Sequence, residues 1–308
     1  MIPTCFSAYY TLIPLFNEIS EWSLLRKWSL SEVYRVTLRT GESRIIKWGG
    51  SEMAGEAEIY QKLVHPLQIK APRIFEFIQL KDSGVIIMED AGKRNLEQQP
   101  EPEYFLEASR ELPRLRVSAT ANLRMLPRKT IEAYSVSMSG FLQLLDDLLK
   151  SNRLEENRVL LKVEKVLPLH LEKLYQMVPT SLVHHDYHAK NLLIQEDGIM
   201  PIDWSNAYLS PHLGDLYCLI TEAHTFCNLS KEDMISAYLE GTNLHINHLN
   251  WQVRIGGLCW LIKTLRWLVY GGIEIIPGSE AWIPDLLNNV DNLCEELIYD
   301  SQSSPELV

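Results

Sequence analysis

The sequence predicts an α+β chain of two unequal lobes, a small antiparallel sheet carrying one helix and then a larger, mainly helical lobe. Three observations predict it. Short β-prone runs separated by turn residues fill residues 1–90. A polar, proline-containing stretch at 93–103 breaks that pattern. Beyond it, apolar residues recur at helical spacing, interrupted by one further pair of β-prone runs.

Each element has its own signal. A helix is expected at 8–20, then strands at Val33–Leu38 and Arg44–Trp48 joined by the turn residues Thr40-Gly41-Glu42. From about Glu52 to Val64 the residues Ile59, Tyr60, Leu63 and Val64 share one helical face, and Pro66 closes the helix. Strands near Arg73–Gln79 and Gly84–Met88 flank Lys81-Asp82-Ser83-Gly84 and complete a four-stranded first lobe, residues 1–90. The second lobe, 91–308, reads as helices at about 103–118, 130–151, 155–177, 214–228, 230–240, 249–270 and 279–297. Ser230 with Asp233 forms a capping-box start and Gly241 a fitting stop. A hairpin, Asn191–Ile194 and Met200–Trp204 around Gln195-Glu196-Asp197-Gly198, is embedded among these helices.

Composition narrows the function. The 308 residues carry a formal charge of -11, which speaks against a nucleic-acid partner. The charge is uneven: 10 Lys+Arg face 11 Asp+Glu in residues 1–90, and 19 face 29 in residues 91–308. That excess suits a soluble acidic surface or a field gathering a cationic substrate. Five scattered cysteines with no CxxC or Cys/His spacing predict reduced thiols and a cytoplasmic protein. The apolar N-terminus lacks a basic start, and the apolar stretch 255–276 contains Lys263 and Arg266, so neither a secretory signal nor a membrane span is expected.

The hairpin is bracketed by His184-His185-Asp186-Tyr187-His188-Ala189-Lys190-Asn191 and by Pro201-Ile202-Asp203-Trp204. A carboxylate that orients an attacking hydroxyl, an amide five residues on and a carboxylate across a short turn are what phosphoryl transfer needs at one point. The order HxDxxxxN followed by IDW resembles the aminoglycoside-phosphotransferase and choline-kinase group of small-molecule kinases, and His188 agrees with that group where protein kinases carry Lys. The resemblance spans about residues 29–220 and implies a protein-kinase-like two-lobe fold. It implies Asp186 as catalytic base with His184 holding its loop, and Asn191 and Asp203 as magnesium ligands. ATP or GTP would be the phosphate donor, gripped by Lys47, which lies mid-strand, and its partner Glu56 on the following helix, with Glu52 and Glu58 as the rival partners. The glycine-rich loop of protein kinases is missing; Ser29 and Ser31, before Val33-Tyr34-Arg35-Val36, would contact phosphate instead. Glu89, Asp90 and Ala91 would offer backbone groups to the purine, and Asp215 would brace the catalytic loop or merely cap the helix it precedes.

The acceptor is expected to be a small cationic or amine-bearing molecule, an aminoglycoside-like antibiotic or an amino alcohol, bound by a monomer or homodimer. Trp251, Trp260 and Trp267 could wall such a site or simply be core, and Asp146, Asp147 and Glu222 could line a groove for the amine or simply be solvated. The rival from another class is a non-catalytic kinase-like binding or spore-coat-type protein.

Overall fold

A computed structural model describes residues 2–28, 30–51, 54–242 and 246–303. The first lobe is a five-stranded antiparallel sheet in the order β1-β2-β3-β5-β4, formed by β1 (Ile19–Lys27), β2 (Ser31–Leu38), β3 (Ser43–Gly50), β4 (Ile74–Leu80) and β5 (Ser83–Glu89). Side chains alternate across the sheet. Tyr34, Val36, Leu38, Ile46, Val85 and Ile87 point to one face, where Phe6, Tyr9, Ile13 and Phe16 cover them. Ile86 and Met88 point to the other, against Ala57 of helix α1 (Glu56–Ile59). Lys47 follows Ile46 and therefore faces the helix.

Two expectations fail in this lobe. The helix expected at 8–20 is replaced by short 3-10 segments at Thr4–Tyr9 and Pro14–Glu18, and β1 is an unexpected fifth strand. As an edge strand β1 lacks strict burial alternation, and Trp22 ties it down against Phe6, Phe16 and Tyr34. Helix α1 begins at Glu56 and runs into a wider π-type turn, Tyr60–Val64; the proposed start at Glu52 lies outside the described residues.

The second lobe contains α2 (Pro102–Asn122), α3 (Arg128–Tyr134), α4 (Met138–Leu149), α5 (Arg158–Met177), α6 (Gly214–Cys227), α7 (Lys231–Leu239), α8 (Ile246–Trp267), α9 (Ile273–Ile275) and α10 (Ile283–Ser303). The single helix expected at 130–151 is two, because Val136 donates its N–H to Leu209 O (3.0 Å) and Ser137 restarts the chain as an N-cap. The Ser230–Asp233 capping box opens α7 as read from the sequence.

The embedded hairpin is β7 (Leu192–Gln195) with β8 (Gly198–Pro201). A second pair, β6 (Ser181–Val183) with β9 (Tyr208–Ser210), was not foreseen; both strands are three residues long and buried. These two pairs hold the loops 184–191 and 202–207 side by side. Among the described residues no helix is long and apolar enough to cross a membrane.

Candidate active site

The site lies between the lobes and is built from β3, α1 and the two loops. Lys47 Nζ stands 2.6 Å from Glu56 Oε2 and 2.7 Å from Asp203 Oδ1, so one ammonium joins the first lobe to the second. The Glu56 contact is an ion pair off the hydrogen-bond line, and both Glu56 oxygens are buried without a hydrogen bond. Burial pushes the Glu56 carboxyl up to about 7 against the opposing pull of Lys47. Burial also acts upward on Asp203, but Lys47 and the Ser205 hydroxyl (3.0 Å) outweigh it and hold that carboxyl at about 2. Asp203 sits just beyond β8, not on a strand as expected, with φ 64°. A left-handed backbone at a non-glycine residue costs on the order of 1–3 kcal/mol and is typical of functional loops.

Asp186 is fixed by its neighbours. Asn191 Nδ2 donates to Asp186 O (2.9 Å) and Oδ2 (2.8 Å), which leaves the Asn191 amide oxygen as the free acceptor. His188 Nε2 and Lys190 Nζ approach Asp186 Oδ1 at 3.3 and 3.4 Å. His184 is fully buried. Its Nε2 donates to Ile202 O (3.0 Å), so its Nδ1 accepts the Asp186 N–H (3.2 Å). Burial holds this ring in the neutral form that geometry requires. His184 thus positions Asp186 and ties the 184–191 loop to the strand leading to Asp203. Asp215, in the first turn of α6, accepts from His184 N (2.7 Å) and His185 N (2.8 Å). It braces the loop as expected.

Residues that sequence reasoning assigned no such role also appear. Both His188 nitrogens face carboxylate oxygens, Glu222 Oε1 at 2.7 Å and Asp186 Oδ1 at 3.3 Å, and Cys218 Sγ lies 3.3 Å from Nδ1. Burial works against the imidazolium, but Cys218, Glu222 and Asp186 outweigh it and raise the His188 pKa. The Cys218 thiol is itself pushed up by burial, so at neutral pH the carboxylates supply the effect. Glu222 also accepts from Ala189 N at 2.5 Å. The sequence offered His188, two residues after Asp186, as a match to the family, and Glu222 as a possible groove carboxylate, but not their pairing.

The nucleotide-facing expectations divide. Ser29 lies outside the described residues. Ser31 opens β2, and its carbonyl accepts the Trp28 N–H (2.8 Å). Trp28, half-exposed beside this turn, reaches Lys190 of the catalytic loop, with Nζ 5.6 Å from the ring centroid. The Glu89 N–H is spent on Arg73 O (2.9 Å) and the Ala91 carbonyl on the Gln195 amide. Among the described residues the Ala91 N–H has no acceptor. Asp90 serves the hinge through its side chain: Arg35 grips it at 2.6 and 2.8 Å, and Ser43 adds a hydrogen bond.

On the acceptor side the three tryptophans separate. Trp251 is core, donating to His170 Nδ1 (3.1 Å), and Trp267 is exposed. Trp260 donates to His185 O (3.0 Å) and packs on the His185 and His188 rings, so it alone borders the catalytic loop. The carboxylates considered for an amine groove are already engaged: Asp146 with Lys150, Asp147 with Arg266 and Glu222 with His188.

Similar folds are known. The fold is shared with a thermostable mutant of aminoglycoside phosphotransferase APH(4)-Ia in ternary complex with ADP and hygromycin B, at TM-score 0.63 and 14% identity over 95% of this chain and 98% of that one. ADP-bound aminoglycoside phosphotransferase APH(2'')-Ib gives TM-score 0.61 and 17% identity over 94% and 99%. An ethanolamine kinase of Plasmodium vivax gives 0.62 and 16% over 98% and 88%. Among curated proteins none matches the sequence. The profile of the phosphotransferase enzyme family matches residues 27–252, most of the chain, including Lys47, Glu56, Asp186, Asn191 and Asp203. The chain belongs to the phosphotransferase enzyme family.

Proposed function

We propose that the protein moves the γ-phosphate of ATP onto a hydroxyl of a small acceptor molecule, with magnesium as the accompanying cation and the first lobe as the nucleotide-binding lobe. The observation that carries this reading is the Lys47 ammonium, held between Glu56 and Asp203 beside the Asp186–Asn191 pair. A buried cation so placed costs several kcal/mol to desolvate and is retained where it has charge to meet. Glu56 and Asp203 meet that charge here and hold the ammonium at the cleft, where polyphosphate would add to it, and the open Ala91 N–H suits a purine edge.

The donor set fits magnesium. Asp203 Oδ2 and Asn191 Oδ1 are hard oxygens left over after the internal hydrogen bonds are assigned. Among the described residues no cluster of three or more His, Cys, Asp or Glu forms a cage, which suits an ion that shares its coordination with phosphates and water. Asp203 and Asn191 would hold magnesium, which when bound would neutralise phosphate charge. The rest is done by side chains. Lys47 balances phosphate charge from the first lobe, with Glu56 aiming it. Asp186 receives the hydroxyl proton as the acceptor oxygen bonds to phosphorus and the bond to the β-phosphate oxygen breaks, releasing ADP. Asn191, His188 and Lys190 fix the Asp186 carboxylate, and Trp260 with the 184–188 loop walls the acceptor side.

Two variants test the assignment. Asp203→Asn should weaken Mg·ATP binding at least about tenfold, the worth of one charge-assisted contact. Asp186→Asn should bind Mg·ATP within about threefold of wild type while turnover falls by about a thousandfold. Calorimetric titration with Mg·ATP and Mg·GTP and an ADP-release assay give both readouts. Equal losses of binding in two folded variants, or a wild-type chain that binds no nucleotide, would overturn the roles.

A further inference from the structure

Many of the second lobe's cations have a carboxylate partner. Arg110, Arg114, Lys150, Lys162 and Arg266 each pair with a carboxylate. Lys263 on α8 does not. Among the described residues no carboxylate and no hydrogen-bond acceptor reaches its ammonium; its one close partner is the Tyr208 ring, with Nζ 5.0 Å from the centroid. Burial first, and then the nearby Arg266 charge, pull its pKa down to about 8. A mostly buried ammonium without an anion is expensive.

Its position gives that cost a use. Lys263 lies three residues after Trp260, on the same helical face, and Trp260 is bonded to the loop residue that precedes Asp186. The Tyr208 ring beneath Lys263 packs in turn on the His185 ring at 5.6 Å. His185 is kept neutral by burial and by Lys263 itself, and His212 likewise by burial, Arg116 and Lys263. Among the described residues Lys263 is therefore a charge without an anion, one helical turn from Trp260 and behind the 184–188 loop. The carboxylates that would hold an amine there, Asp147 and Glu222, are neutralised by Arg266 and His188.

We propose that Lys263 receives an anionic group of the acceptor, so that the substrate is a hydroxyl compound carrying a carboxylate or a phosphate, and not an amine. The inference rests on the phosphotransferase reading above. An anion entering the wall would complete the missing ion pair in a partly desolvated place, where one such contact has its largest effect. It would also fix the distance between the anion and the hydroxyl offered to Asp186, so that Lys263 selects among acceptors as well as binding them.

The test uses matched acceptors with the full chain and Mg·ATP: ethanolamine, glycerol, glycerate and glycerol 3-phosphate, then glucosamine, glucose, gluconate and glucose 6-phosphate. Turnover is expected with an anionic member, and carboxylate against phosphate members separate the two sources of negative charge. Lys263→Met should raise the acceptor KM at least about tenfold with little change in kcat or in the KM for ATP, and Lys263→Arg should restore most of it. Without acceptor, Lys263→Met should melt no lower than wild type, because it deletes an unpaired charge. Turnover confined to neutral or amine members overturns the proposal, as does an anionic acceptor whose KM ignores Lys263→Met, a Lys263→Met protein that is markedly destabilised, or no anionic turnover by a protein that binds Mg·ATP. Loss of Mg·ATP binding by the wild-type chain would instead remove the phosphotransferase reading on which this one stands.

Discussion

Lys47 and Glu56 are almost wholly withdrawn from water, at 6% and 1% exposure, and neither tolerates that place alone. Their pairing follows from two short-range facts. Lys47 faces α1 because Ile46 beside it faces the N-terminal aromatics, and Glu56 opens the first turn of that helix. Asp203 completes the triangle but keeps the Ser205 hydroxyl and some solvent. Glu56 therefore bears the loss if Lys47 is removed. Lys47→Met should cost about 3–5 kcal/mol of stability, the penalty for stranding a buried partner. Adding Glu56→Gln should return a large part of it, since the stranded carboxylate is then gone. Urea unfolding of the two single variants and the double variant checks this; strictly additive losses would mean that the pair is not coupled.

The residues of the site were legible as sequence because their chemistry is local: Asp186 and Asn191 share one loop, and Asp203 follows one hairpin later. What escaped was set by contacts distant in sequence. β1 is a strand because Trp22 meets Phe6, Phe16 and Tyr34, and the 130–151 helix breaks because Leu209 captures Val136. Glu222 and Lys263 come to the catalytic loop only through the packing of α6 and α8, which no local pattern encodes. That packing needs glycine at the α6–α8 contact, at Gly214, Gly256 and Gly257, and at Gly256 it is backbone that a Cβ would strike. A Cβ on Gly256 of α8 would lie 2.5 Å from Leu213 C and 2.7 Å from Gly214 N, and backbone cannot swing aside as a side chain can. Gly256→Ala should therefore push α8 away from the start of α6, where Asp215 holds the catalytic loop. The expected cost is about 3 kcal/mol, with turnover falling more than the stability loss alone explains. Gly55→Ala, whose Cβ meets nothing within 4 Å, should stay within about 0.5 kcal/mol of wild type by thermal melting. A Gly256→Ala protein as stable as Gly55→Ala would show that the two helices can part without loss.

Across the whole molecule the second lobe is joined at His212, and that joint adds an acid-sensitive contribution to stability, opposite in sign to those of Glu56 and His188. His212 is buried where several elements meet. Its Nδ1 accepts the Gly214 N–H of α6 (3.0 Å), which makes Nε2 the protonated nitrogen that donates to the Tyr208 hydroxyl of β9 (2.8 Å). Arg116 of α2 donates to the carbonyls of Pro211 and His212, at 2.6 and 3.0 Å, and Phe141 of α4 packs edge-on against the ring. A second ring proton has no acceptor in this arrangement. Burial first, then the charges of Arg116 and of Lys263 on α8, depress the His212 pKa from 6.5 to about 3. A histidine with a depressed folded pKa contributes stability that is complete above its unfolded value. The contribution is lost as pH falls from 6.5 towards 3, because the unfolded chain takes up the proton first. The loss from His212 alone is about 2 kcal/mol at pH 5. His184 and His185, also buried with lowered values, act in the same direction. His212→Asn keeps an acceptor near Gly214 N–H but cannot titrate. It should be less stable than wild type at pH 7.5, and its unfolding free energy should fall by about 2 kcal/mol less between pH 7.5 and pH 5. Urea denaturation of both proteins at the two pH values measures the difference. Parallel pH slopes would mean that His212 is protonated in the folded protein as readily as in the unfolded chain, and that the acid sensitivity lies in some other joint between the helices.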